Sequence, residues 1–287
     1  MRKAVVAATL ALTFAEPAAA LDGARLERAV RAEERALNAR VGAAVLDTKD
    51  ATTWSYRGAE RFALDSTHKA FACAALLAEA DRGEISMTKR VVITAADLAP
   101  NSPITEKNLA PASMSLGEIC GAALDYSDNT AANFVLAALG GPSAVTAFFR
   151  ALGDKVSRLD RKETELNDAT PGDPRDTTTP AAAAADLSKI LLGDALKRAP
   201  RARLTQWMEG DRVAGPLLRA ALPEGWRIAD KTGAGGYGSR GIVAAIWPPG
   251  RPPLVVAIYI AETPADMAAR NAAIARIGAA LVEAIAP

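Results

Sequence analysis

The chain has 287 residues, half of them hydrophobic and 23% charged, with a formal net charge of +1. This is an ordinary globular composition, and the near-neutral balance offers no basic face, so no nucleic-acid partner is expected. With one histidine and two cysteines, no cluster of three or four His, Cys or carboxylate ligands stands out, and neither a metal nor a cofactor is expected.

Residues 1–20 read as a secretory signal peptide. Arg2-Lys3 form the charged end, residues 4–14 an apolar run of eleven, and Ala18-Ala19-Ala20 a small-residue cleavage site. The run is shorter than the ~20 residues that cross a bilayer, so export with cleavage is expected, leaving residues 21–287 with no membrane span. Export makes a disulfide between Cys73 and Cys120 chemically allowed. It would close a loop of about 48 residues, worth up to ~4 kcal/mol in the chain-entropy model; two buried free thiols are the alternative.

In chain order, residues 24–38 predict an amphipathic helix with Leu26, Val30 and Leu37 on one stripe. Residues 41–46 and 53–56 predict two strands around a turn at Asp47-Thr48-Lys49-Asp50. From residue 66 to about 221 the chain is alanine-rich and mostly helical, broken at residues 100–103, at Pro111, at Gly140-Gly141-Pro142 and over residues 171–180. Three strand-like runs follow, 226–232, 241–247 and 254–261, and a last helix covers 264–285. Short links between consecutive strands imply antiparallel pairing. The fold class is therefore α/β (α+β): an antiparallel sheet covered on one face by the N- and C-terminal helices, with a mostly helical second lobe on the other. The α/β lobe takes residues 21–61 and 222–287, and the helical lobe 62–221.

The chemistry centres on Asp65-Ser66-Thr67-His68-Lys69. Positions i and i+3 share a helix face, so the Lys69 amine can lie beside the Ser66 hydroxyl. Burial or a neighbouring cation lowers a lysine until it can take a hydroxyl proton, and a helix N-terminus favours developing negative charge. His68 points about 200° round a helix from Ser66. It is excluded as that serine's base and is expected to pack, buried or half-buried, behind the helix. A second S-x-x-K, Ser86-Met87-Thr88-Lys89, lies in a polar stretch and reads as coincidence. Gly233-Ala234-Gly235-Gly236-Tyr237-Gly238 matches G-x-G-x-x-G, but a strand follows where a dinucleotide site needs a helix.

Three further elements are Ser127-Asp128-Asn129, Lys231-Thr232-Gly233, and Glu163-Thr164-Glu165-Leu166-Asn167 in a polar loop. S-x-x-K, S-D-N and K-T-G, here in that order at separations of 61 and 104 residues, are the signature of class A β-lactamases and penicillin-binding proteins. With residues 126–133, Gly140-Gly141-Pro142, Leu159-Asp160-Arg161, and residues 175–180 and 225–230, the chain resembles a class A serine β-lactamase. It is similar to the TEM and carbenicillinase groups over nearly the whole mature length.

The resemblance implies a serine β-lactamase/penicillin-binding-protein transpeptidase-like fold, a monomer secreted to a bacterial periplasm, and a small-molecule β-lactam substrate. It implies Ser66 as the acylated nucleophile, Lys69 in the proton traffic of acylation and Ser127 as relay to the leaving lactam nitrogen. Asn129 would hold Lys69 and the substrate's side-chain amide; Glu163 and Asn167 would activate and position the hydrolytic water. Lys231, Thr232 and Arg240 would face the substrate carboxylate, with Gly233 beside them. The backbone N–H groups of Ser66 and Ala234 would form the oxyanion hole. Arg161 and Asp176 would pair across the neck of an Ω-loop, and Cys73 and Cys120 would be bonded. The sequence departs from the family at His68, where Phe is usual, and at Asn101, where many members carry an aromatic wall. Carbenicillinases commonly have Arg where Lys231 stands, which argues against a carbenicillin preference. Gly235 and Arg161 favour penicillins, with early cephalosporins, over bulky oxyimino cephalosporins. The rivals are a D,D-peptidase of the same fold and a penicillin sensor, both of which stop at the acyl form; Glu163 and Asn167 argue for the hydrolase.

Overall fold

The computed structural model describes residues 21–285, so the predicted leader lies outside the described residues. The elements are α1 Gly23–Ala36, β1 Arg40–Asp47, β2 Thr52–Tyr56, β3 Phe62–Ala63, α2 His68–Asp81, β4 Arg90–Val92, β5 Ser113–Ser115, α3 Leu116–Asp125, α4 Asn129–Leu139, α5 Pro142–Ala151, β6 Thr177–Thr178, α6 Pro180–Leu191, α7 Arg198–Glu209, β7 Arg227–Ala234, β8 Arg240–Trp247, β9 Leu254–Ala261 and α8 Met267–Ala284. The main sheet has the antiparallel order β2-β1-β9-β8-β7. The first and last segments of the chain thus share one sheet, and everything between β2 and β7 is inserted.

The composition of the strands explains the layering. Residues of β8 and β9 are buried almost without a break, because both faces of the sheet are covered and a continuous apolar run suits both. On one face Leu26 and Val30 of α1 and Ile274, Ile277 and Leu281 of α8 pack against Val41, Ile242 and Ile258. On the other, Ala183, Ala184 and Leu187 of α6 meet Ala44, Val243, Ala257 and Tyr259, and this core continues into α2 and α3. The small side chains of α6 let the helical half lie close to the sheet.

Two details differ from the sequence expectation. The inserted stretch contains two small antiparallel ladders, β3 with β6 and β4 with β5; two or three residues are too few to print a period of two. Strand β7 also runs on past Thr232, pairing Gly233 with Gly241 and Ala234 with Arg240. Helix α2 is tied to α3 by the Cys73–Cys120 disulfide, with Cα atoms 5.8 Å apart. Among the described residues no single helix is long and apolar enough to cross a membrane; α4 and α5 would qualify only as a pair, bent by 69°.

Candidate active site

Residues 65–67 form a 3₁₀ turn that leads directly into α2. Asp65 begins it at φ +43°, a left-handed conformation that aspartate tolerates better than most side chains. The turn and the first turn of α2 bring Lys69 Nζ to 2.9 Å from Ser66 Oγ. Lys69 also donates to Asn129 Oδ1 at 2.6 Å and to the carbonyl and hydroxyl oxygens of Ser127 at 2.8 and 3.3 Å. Burial pushes its amine below the usual lysine value, more strongly than Glu163 and Asp128 pull it up.

The Ser127-Asp128-Asn129 triplet is a helix start. Ser127 sits at φ +57°, and Asp128 caps α4 by accepting from Ala131 N at 2.8 Å. The same carboxylate accepts from Ile104 N and Thr105 N at 3.0 and 2.9 Å, so it fixes the 101–105 segment to the head of α4. Asn129, the first residue of the helix, donates to Pro100 O at 2.8 Å and turns its carbonyl to Lys69.

Glu163 enters from the loop between α5 and β6. Its backbone is clamped by Asn133 of α4, whose side chain accepts from Glu163 N and donates to Glu163 O, both at 2.9 Å. The Glu163–Thr164 peptide is cis. Glu163 Oε1 lies 3.0 Å from Lys69 Nζ, and Asn167 Nδ2 donates to Oε2 at 2.5 Å. Burial pushes the carboxyl up, but Lys69, His68 and Asn167 together outweigh it and hold Glu163 below the ordinary glutamate value. The neck of the loop closes where Arg161 Nε meets Asp176 Oδ2 at 2.6 Å. Asp176 also accepts from the backbone of Asp160 and Arg161 and offers its carbonyl to Leu64 N at 2.8 Å, which couples the neck to the turn that carries Ser66.

The third side comes from β7 and β8. Gly233 packs so closely on the turn that a Cβ there would lie 3.0 Å from Ser66 N. Ala234 follows and pairs with Arg240. Arg240 donates to Gly233 O at 2.9 Å and to Asn271 Oδ1 at 2.8 Å. Lys231 is fully buried; its ammonium donates to Thr232 O at 3.0 Å and stands 3.9 Å from Asp211 Oδ2. Burial takes it down to about 8.

Ser66, Ser127, Asn129, Asn167, Thr232 and Arg240 therefore line one cleft of about 330 Å³, with Gly233 and Ala234 on its edge. Lys69, Glu163 and Lys231 are buried in its walls. Asn101 is at the mouth, and the aromatic surface there belongs to Tyr126. The second S-x-x-K is a surface turn, with Ser86 Oγ bonded to Thr88 Oγ1 at 2.8 Å, and the glycine-rich 233–238 segment leads from one strand into the next.

One expectation needs correction. His68 is buried, as predicted, but it does not pack away from the chemistry: its Nδ1 lies 3.9 Å from Glu163 Oε1. The 3₁₀ turn winds more tightly than an α-helix and carries the ring round to the loop. Sequence reasoning also missed Asn133 and Asp211. Asn133 stood inside the quoted 126–133 run, whereas nothing around Asp211 signals that it faces Lys231.

A model of the beta-lactamase enzyme family matches residues 25–285. Beta-lactamase AER-1 of Aeromonas hydrophila is 56% identical over 283 residues, 99% of this chain and 93% of that protein. Beta-lactamase CARB-3 of Pseudomonas aeruginosa is 48% identical over 254 residues, 88% of each chain. Among solved structures, an ancestral class A beta-lactamase superposes with a TM-score of 0.88 at 50% identity, covering 90% of this chain and 99% of that one.

Proposed function

Because the chain belongs to the class A serine β-lactamase family and so is a hydrolase of β-lactams that confers resistance, we propose that it opens the lactam amide of penicillins through an acyl-enzyme on Ser66. The observation that carries this reading is Lys69, which touches both the nucleophile and the base: 2.9 Å to Ser66 Oγ and 3.0 Å to Glu163 Oε1.

Acylation begins with a proton passed from Lys69 to Glu163, which leaves a neutral amine beside Ser66. Ser66 Oγ attacks the lactam carbonyl carbon and its proton goes to Lys69. The negative charge that develops on the carbonyl oxygen is met by the N–H groups of Ser66 and Ala234, two residues that line the cleft, since acyl transfer needs preorganised donors at the oxyanion. The C–N bond breaks as Ser127 hands a proton to the ring nitrogen and is reprotonated from Lys69. Lys231, Thr232 and Arg240 hold the substrate carboxylate through charge-assisted bonds, and Asn129 takes the side-chain amide. For deacylation Glu163 first returns its proton to the now neutral Lys69; the carboxylate then takes a proton from a water that Asn167 helps to hold, the water attacks the ester, and Ser66 leaves with that proton.

Penicillins and early cephalosporins are the proposed substrates. A Cβ at Gly235 would collide with the carbonyl oxygen of Asn167, and one at Gly236 with the carbonyl oxygen of Asp168. The strand edge thus abuts the loop and leaves little room for a bulky oxyimino group. A monomeric enzyme is part of the proposal. Export to the periplasm is part of the same proposal, since its lactam substrates reach the cell from outside.

The test is Glu163→Ala. Acylation should survive while deacylation nearly stops, a loss of roughly 10²–10⁴-fold. Mass spectrometry after mixing with benzylpenicillin should find one long-lived adduct per chain on the Ser66 peptide, and Ser66→Ala should give neither adduct nor turnover. Near-wild-type hydrolysis by Glu163→Ala would refute the mechanism. A stable adduct on the wild type would instead favour a D,D-peptidase or a penicillin sensor.

A further inference from the structure

His68 is wholly buried, and the reaction above gives it no part. Its Nδ1 lies 2.8 Å from the carbonyl oxygen of Asp65. A carbonyl only accepts, so the ring proton is assigned to Nδ1. That leaves Nε2 as a buried acceptor without a hydrogen-bond partner among the described residues. Such a group lowers stability, and a phenyl ring of similar size would fill the same space without that cost. What imidazole has and phenyl lacks is a polar N–H edge. Here that edge stands 3.9 Å from Glu163 Oε1, the oxygen that also faces Lys69.

We propose that His68 is a positioning residue for Glu163: held by the Asp65 carbonyl, the ring keeps the positive end of its dipole, at Nδ1, beside the carboxylate and so favours the ionised, aimed form of Glu163 that deacylation needs. The inference rests on the assignment of Glu163 as base. Lys69 is a mobile counter-charge, because the proton that balances Glu163 is the one the two groups exchange. The imidazole edge takes no part in proton transfer and stays where it is. Burial takes the ring down to about 4, so it acts as a dipole across neutral pH and not as a second cation.

The other groups around this pair are few. Lys69 faces Glu163 from the same helix, and Asp128 from the head of α4 acts on Lys69. Asp176 at the loop neck acts on the His68 ring. Asp65, which burial raises to about 7, is acted on by Glu163 and in turn by Ser239, Arg240 and Arg270. Substituting His68 leaves the side chains of these groups in place but removes the donor to the Asp65 carbonyl, so the readout is the acid midpoint of deacylation, which follows the ionisation of Glu163.

The experiment compares His68→Phe and His68→Asn with the wild type, following kcat and rapid-quench decay of the benzylpenicillin adduct across the acid range. The asparagine amide nitrogen can take the place of Nδ1, whereas phenylalanine offers no donor. With Phe the acid limb of deacylation should move up by about half a pH unit, which makes the adduct roughly threefold longer-lived well below the midpoint. Acylation near neutrality should change less than twofold, and Asn should return the midpoint towards the wild-type value. If Phe folds poorly, His68→Leu against His68→Asn reads the same contrast. Equal midpoints for donor and non-donor variants would overturn the proposal. Glu163→Gln separates the two readings: if it still turns over rapidly, the base assignment itself fails. If it stalls while the His68 midpoints coincide, only the role given to His68 fails.

Discussion

The two walls of the cleft each contain a buried lysine, and they treat it differently. On the helical wall Lys69 is saturated: Ser66, Ser127 and Asn129 accept from it and Glu163 stands at 3.0 Å. On the strand wall Lys231 donates only to Thr232 O among the described hydrogen bonds, and its nearest carboxylate oxygen is 3.9 Å away at Asp211. Burial lowers both amines. A lysine surrounded by acceptors within hydrogen-bond reach can change state cheaply where some of them exchange protons, as the hydroxyls of Ser66 and Ser127 and the carboxylate of Glu163 can. A lysine with a distant counter-ion keeps an unspent charge for an anion that arrives later. In the proposed mechanism this difference divides proton transfer from substrate recognition within one residue type.

The strongest way to break this contrast is Lys69→Met, which keeps an unbranched side chain and removes the amine. If Lys69 carries the proton traffic, acylation by benzylpenicillin should fall by roughly 10²–10⁴-fold, read as single-turnover adduct formation, with deacylation of any preformed adduct affected less. A variant that acylates within tenfold of wild type would mean that the helical lysine only supports structure.

The strand wall predicts a pH effect. Lys231 is pushed down to about 8, so its charge is complete below that pH and lost as pH rises through it. Recognition of the substrate carboxylate should weaken on the basic side: kcat/KM for benzylpenicillin, which reports the free enzyme, should show a limb near 8. Arg240 remains cationic, so the fall should level off about tenfold down, the worth of one charge-assisted contact of about 1.4 kcal/mol. Lys231→Arg, whose guanidinium stays charged, should remove the limb. An unchanged limb in that variant would assign the titration to another group, with Asp65 the first candidate because burial raises it to about 7.

These walls were unequally legible in the sequence. The Ser66–Lys69 pairing follows from helical spacing, and the sheet with its covering helices follows from apolar runs and turn residues. Lys231 could be placed at the end of a strand by the same means. Its environment could not, because Asp211 approaches from a loop after α7 with no local pattern to announce it. The same holds for Asn133 clamping the Glu163 backbone and for Asp128 tying Ile104 and Thr105 to α4. Each is a contact between segments far apart in the chain, and periodicity carries information only about near neighbours. His68 failed for a finer reason: a 3₁₀ turn, not an α-turn, precedes it, and a difference in winding too small to read from residue types decides which neighbour the ring meets.

The smallest expected effect concerns how the helical wall is braced. Cys73 is one turn beyond Lys69 on α2, and its disulfide to Cys120 ties that helix to α3. If the covalent tie held Lys69 in register, removing it would cost activity. The packing argues otherwise. Phe71 contacts Phe149 of α5 with ring centroids 5.1 Å apart, and nearly every residue of α2 is buried in the same core as Ile119 and Leu124 of α3. Asn129 and Ser127 grip the Lys69 ammonium directly. The disulfide should therefore act mainly on the unfolded chain, by closing a long loop worth at most ~4 kcal/mol. The double variant Cys73→Ala, Cys120→Ala should keep kcat/KM within about threefold, equivalent to less than 1 kcal/mol, and lose roughly 5–10 °C in melting temperature, measured by circular dichroism. A tenfold fall in kcat/KM with the melting temperature unchanged would reverse the argument and make the disulfide part of what positions Lys69.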